Sequence, residues 1–169
     1  AQTGLGQWEA ARKNLDEAMR IRRKAGEESA DVAVVLHSVA SWWLEQKKGS
    51  EAKLAFERSL AMRERLGSAT NETLADDKAG IGRALLALEQ PKEAVVQFEE
   101  VLKLLGDVDD KRRLARAKVD LGRALLLADP ASKERGLTLL TDGLPGLSQR
   151  ERDKLAPLLE KAFGPDAGR

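Results

Sequence analysis

Between Leu36 and Leu60 the apolar positions fall into two sets. The first contains Leu36, Val39, Ala40 and Trp43; the second contains Ala52, Leu54, Ala55, Phe56 and Leu60. Steps of three and four residues put each set on one face of a helix. Lys47-Lys48-Gly49 interrupts the pattern, and Ser50 is placed to cap the second helix. Neither helix can bury its stripe alone, so the pair predicts a helical hairpin stacked on similar units.

Such units follow. Ala52 has a counterpart in Ala94, 42 residues on, and in Ala11, 41 residues before. Each is followed four residues later by a bulkier apolar residue: Leu15, Phe56 and Phe98. The first helices repeat as well, because Ile81-Gly82-Arg83-Ala84-Leu85-Leu86 recurs as Leu121-Gly122-Arg123-Ala124-Leu125-Leu126, 40 residues later. A fixed step of this size predicts an all-α stack of antiparallel helix pairs. The boundaries expected are a partial repeat at about 1–27, repeats at about 30–67, 72–106 and 111–144, and a terminal helix at about 148–163.

These residues carry a resemblance. With Ile81-Gly82, Leu121-Gly122 and Val39-Ala40 in one place, small Ala11, Ala52 and Ala94 in another, and the aromatics Phe56 and Phe98, the chain resembles the tetratricopeptide repeat family over roughly residues 6–144. The ordinary member repeats every ~34 residues. The longer step here is similar to the kinesin-light-chain type and to arrays in bacterial signalling proteins, and the Ile21–Gly26 and Met62–Gly67 segments fit that comparison. The resemblance implies a right-handed superhelical solenoid with a C-terminal capping helix and a concave groove lined by the first helix of each pair. It also implies a non-catalytic protein-interaction module or scaffold. The alternative reading is a regulatory or sensory segment of a larger bacterial signalling enzyme or transcription regulator.

In chain order, residues 1–5 read as the tail of a first helix and 8–25 as its partner, so the chain is expected to be excised from a longer one. The open N-terminal face would expose Ala11, Leu15 and Met19 and favour self-association. Ser29 or Asp31 can cap the helix that follows. Asp107, Asp109 and Asp110 suit the start of another. Asp129-Pro130 opens the last second helix, where Gly136 and Gly143 replace small or apolar residues and predict a weakened, degenerate repeat. Ser148 and Glu151 form a capping box for the terminal helix, which Pro157 should bend or divide.

Composition narrows the chemistry. The 169 residues are 42% hydrophobic and 34% charged, with formal net charge +1, and no basic stripe is evident along the first helices, which disfavours nucleic acid. There is no cysteine and one histidine, so thiolate metal sites are excluded and no Ser-His-Asp set is assembled. No phosphate loop, dinucleotide fingerprint or H-E-x-x-H occurs. The run from Asp107 to Asp110 lacks the glycine and closing glutamate of a calcium loop, and Asp76-Asp77 reads as a solvated first turn. No cofactor, metal or catalytic residue is assigned. No apolar run reaches membrane length and no leader is visible, so a cytoplasmic protein with no membrane partner is expected.

What remains is a surface. Helical phase sends Val34, His37, Ser41 and Leu44 to the groove from one first helix, Asp76, Ala79, Arg83 and Leu86 from the next, and Arg116, Val119, Arg123 and Leu126 from the last. The candidate peptide-groove residues are therefore His37, Ser41, Leu44, Arg83, Leu86, Arg116, Arg123 and Leu126. Guanidiniums bind carboxylates with paired hydrogen bonds. The arginines either anchor an acidic or C-terminal peptide or pair with acids inside the stack. The lysine and asparagine pattern of the chaperone-binding members is not reproduced. Trp43 has a core place; Trp42 faces either the preceding helix or a partner.

Overall fold

The computed structural model describes residues 29–106 and 108–163. The readings made for residues 1–27, including Ala11, Leu15, Met19 and self-association through them, lie outside the described residues. Within them every regular element is helical: α1 Ala30–Glu45, α2 Gly49–Arg65, α3 Asn71–Ala87, α4 Pro91–Leu105, α5 Lys111–Ala128, α6 Lys133–Gly143 and α7 Gln149–Phe163. Short 3₁₀ turns, Pro130–Ser132 and Leu144–Gly146, flank α6. Consecutive helices pack pairwise from α1 to α6, while α1 also touches α3 and α3 touches α5. The first helices thus stand side by side, as a tetratricopeptide-repeat solenoid requires.

The alanine–aromatic period is the packing rule. Ala52 and Ala94 are fully buried and let neighbouring helices approach, and Phe56 and Phe98 fill the space beyond. The glycines of α3 receive those rings: a Cβ at Gly80 would lie 2.5 Å from the Phe56 ring, and one at Gly82 2.7 Å from Phe98. The core runs through Ala40, Ala52, Phe56, Ala79, Ile81, Ala84, Leu85, Ala94, Phe98, Val101, Leu121 and Leu125. A smaller cluster of Ala115, Val119, Leu140, Leu147 and Leu155 seats α7 on the last pair. Phe98 and Leu140 hold equivalent places, 42 residues apart, and a Cβ at Gly122 of α5 would meet the Gly136 carbonyl oxygen at 2.7 Å and Leu140 Cγ at 3.0 Å.

Several expectations change. α2 begins at Gly49, with Lys48 before it, so Ser50 lies inside the first turn and is not the cap. Gly49 starts the helix because it is pressed under Leu88, whose Cγ would sit 3.0 Å from an added Cβ. α3 is capped by Thr70 and Thr73, which exchange backbone and side-chain hydrogen bonds. Asp110 caps α5 by accepting from the Arg113 N–H at 2.9 Å. Gly136 and Gly143 are also close-approach sites, in an α6 of 11 residues where α2 has 17 and α4 has 15. A Cβ at Gly136 would meet Leu126 Cγ at 2.8 Å, and one at Gly143 would meet the Ala115 carbonyl oxygen at 2.6 Å. α7 runs undivided through Pro157.

The turns after α1 and α3 share an unusual backbone. Lys47 and Glu89, 42 residues apart, both have φ of 59°. A side chain makes this left-handed region costly, and glycine removes most of that cost while adding freedom to the unfolded chain. Glu89→Gly is expected to raise stability by about 0.5–1 kcal/mol, measured as a higher urea midpoint.

Candidate functional site

Two buried carboxylates dominate the side of the stack where the first helices meet. Asp77 of α3 is fully buried. Its Oδ2 accepts from Arg63 Nε at 3.0 Å and lies 2.9 Å from Ser59 Oγ, both on α2. Its Oδ1 is 2.7 Å from His37 Nδ1 on α1. A carboxylate only accepts, so the imidazole presents its Nδ1–H. The Ser59 hydroxyl is also 2.9 Å from the Ala33 carbonyl oxygen. One carboxylate therefore ties three consecutive helices together, and the reading of Asp76-Asp77 as a solvated first turn fails for Asp77. Asp77 is core, and Asp76 is half-exposed and paired with Arg113.

Ser59, Asp77 and His37 do come together, but in an order unsuited to nucleophilic catalysis. The carboxylate stands between serine and imidazole, whereas activation needs the imidazole between the other two. Ser59 itself is fully buried. The imidazole packs edge-on to Phe56, 5.2 Å between centroids.

The second carboxylate is Asp120 of α5, also fully buried. Arg83 Nε from α3 donates to Oδ2 at 2.8 Å, and Arg116 Nε from one turn earlier donates to the same oxygen at 3.3 Å. Arg123 Nη1 stands 3.8 Å from Oδ1, which accepts no hydrogen bond. Burial alone would push the Asp120 carboxyl up; the three guanidiniums outweigh it and hold the group below its ordinary range. Desolvation lowers the Arg123 guanidinium, against the attraction of Asp120. Three cations thus surround one buried anion.

The stack brings Arg83, Arg116 and Arg123 to one point, and an acid inside the stack is their common partner. Arg83 and Arg116 remain about one-third exposed, at 32% and 29% of the side chain, while Arg123 keeps 16%. His37 is part of the Asp77 network. Ser41 is half-buried. Leu44 and Leu86 are partly buried against the main core, and Leu126 against the smaller one. Ala79 and Val119, phased toward the groove by sequence, are core. Val119 is drawn inward by Leu140, Leu147 and Leu155. Trp42 and Trp43 stack edge-to-face at 4.5 Å, and the Lys48 ammonium lies 4.5 Å from the Trp43 centroid. Trp43 packs against the core as a half-buried residue.

Sequence reasoning missed Asp120, the buried partners of Asp77 and the reach of Glu151, read only as a capping residue, to Arg112, together with the concentration of charge on α5. That helix carries Lys111, Arg112, Arg113, Arg116, Lys118 and Arg123 against Asp120 alone. Neighbours share the excess: Arg113 pairs with Asp76 and Asp110, Lys118 with Asp142 and Arg112 with Glu151. Among the described residues no helix is long and apolar enough to cross a membrane.

Residues 2–65 match the family model described as tetratricopeptide repeat. No curated protein matches the chain. The match ends with α2, and the same period continues through α3–α6. Both findings support a tetratricopeptide-repeat protein, and such repeats generally mediate protein–protein interactions.

Proposed function

We propose that this tetratricopeptide-repeat solenoid is a non-catalytic binding module that holds an acidic peptide segment across the inner helices α1, α3 and α5. The observation that carries the reading is the imbalance at Asp120, where three guanidiniums face one carboxylate. Arg83 reaches Asp120 through Nε and retains its Nη groups for a second acceptor. A peptide carboxylate is the planar, bidentate partner that guanidinium geometry suits. Leu44, Leu86 and Leu126, at equivalent places on successive inner helices, supply apolar contact beside it. The step of 40–42 residues and helices of 15–18 residues in α1–α5 support the long-period, kinesin-light-chain-like type.

The test is fluorescence anisotropy with a labelled hexaglutamate peptide and a hexalysine control. Hexaglutamate should bind and weaken with added salt. Arg83→Ala should weaken it roughly tenfold, the loss of a charge-assisted contact, with helix content unchanged because Arg116 stays on Asp120. Equal affinity of Arg83→Ala and the parent chain would remove the arginine groove.

A further inference from the structure

Each inner helix reaches back to the one before it. At the start of α5, Arg113 grips Asp76 of α3 with two hydrogen bonds, Nε to Oδ1 at 3.2 Å and Nη2 to Oδ2 at 3.1 Å. One step later the pairing recurs with its charges exchanged. Glu151, in the first turn of α7, reaches back to α5, where its Oε1 is 3.2 Å from Arg112 Nη2 and 3.8 Å from Arg116 Nη1. Asp76 and Arg116 occupy the same place in their helices, 40 residues apart like Ile81 and Leu121. In the ladder of steps, α7 therefore stands where the next inner helix would stand. The exchange of charge brings a carboxylate of the chain itself to the rim of the Asp120 cluster.

Glu151 is held in a defined pose. Its Oε2 accepts from the Ser148 N–H at 3.0 Å and the Ser148 hydroxyl at 2.5 Å, which leaves Oε1 facing the arginines. Behind it, Arg152 Nη1 donates to the Leu147 carbonyl oxygen at 2.6 Å, and Leu155 is buried against α5 and α6. Arg116 is thus shared between two carboxylates, Asp120 inside the stack and Glu151 at the edge.

We propose that Glu151 is a built-in competitor for the anion site, so that the terminal helix opposes the entry of an acidic peptide at Arg116 and Arg112. The proposal rests on the acidic-peptide reading. Arg83, Arg112, Arg116 and Arg123 against Asp120 and Glu151 leave an excess of two positive charges; without Glu151 the excess is three. Only the rim acid is positioned to yield, because Asp120 is enclosed.

Glu151→Gln tests this cleanly. Glutamine also serves at this position of a capping box, so the start of α7 is kept while the charge is lost. Glu151→Gln should bind labelled hexaglutamate about three- to tenfold tighter than the parent chain, the worth of one like charge several ångströms away in a wet site. In the parent chain, saturating hexaglutamate should also speed hydrogen exchange at the Ser148 amide, as Glu151 lets go of the edge. Equal affinity in the two proteins, with binding still lowered by Arg83→Ala, would overturn the competitor and leave the groove standing. Absence of hexaglutamate binding in both would overturn the two together.

Discussion

Asp77→Ala is expected to destabilise the chain by about 3–5 kcal/mol, the usual result of removing one partner from a buried ion pair. The loss is not that of three hydrogen bonds summed. Arg63, with 10% of its side chain exposed, would keep its charge with no acid beside it. Ser59 would keep only the Ala33 carbonyl as a hydrogen-bond acceptor. His37, at 32%, can turn toward water, so His37→Ala should do less, on the order of 1 kcal/mol. Because a solenoid repeat leans only on its neighbours, the damage should concentrate where α1, α2 and α3 join. Urea unfolding followed by circular dichroism gives the total, and amide exchange gives the location. Asp77→Ala/Arg63→Met should recover much of the loss, since an apolar replacement removes the stranded charge. A loss under about 1 kcal/mol for Asp77→Ala would mean that the network is not the tie between these helices.

The two acids show which part of the molecule could be read from sequence and which could not. Helix pairs and their order follow from Ala52, Phe56, Ala94 and Phe98, because a small residue followed by a ring four places later is a packing instruction within one helix. Asp77 was hidden because its partners lie 14, 18 and 40 residues away on other helices, and hydrophobic period says nothing about where charges meet. A signal existed all the same. Asp77 is four residues before Ile81, on the face that Ile81 and Leu85 bury, and a charge there demands a partner. Asp120 stands where Gly80 stands one repeat earlier, a place that takes no side chain because Phe56 fills it. Placing an acid there requires neighbouring cations, and Arg83, Arg116 and Arg123 supply them. The arginines were found by phase, and their common partner was not. The glycines of α6 were read only in part for a related reason: helix propensity describes one helix, whereas Gly136 and Gly143 also answer to α5 pressed against them.

Asp120→Ala should be as damaging as Asp77→Ala, about 3–5 kcal/mol, and its recovery bears directly on the anion site. Without the carboxylate, Arg83, Arg116 and Arg123 repel one another, and Arg123, already lowered by desolvation, is the most deeply placed. Asp120→Asn should do little better, since an amide keeps the shape and not the charge. Arg83→Ala should lose less than about 1 kcal/mol, because Arg83 is partly exposed and leaves Asp120 on Arg116. This ordering decides which variants can test binding. An Arg83→Glu/Arg123→Glu variant would set two acids against a buried one, and a partner lost from it would report unfolding. The pH dependence has a definite sign. Asp120 is held below its ordinary value of 3.8, so its contribution is full above that pH and declines as acid protonates it below. Finally, the three guanidiniums of Asp120→Ala form a site open to a small carboxylate. Acetate should then restore stability beyond chloride at equal ionic strength, rising with concentration as a bound ligand requires. Equal effects of the two salts, with the variant still folded, would mean that the arginines screen one another and do not gather around an anion.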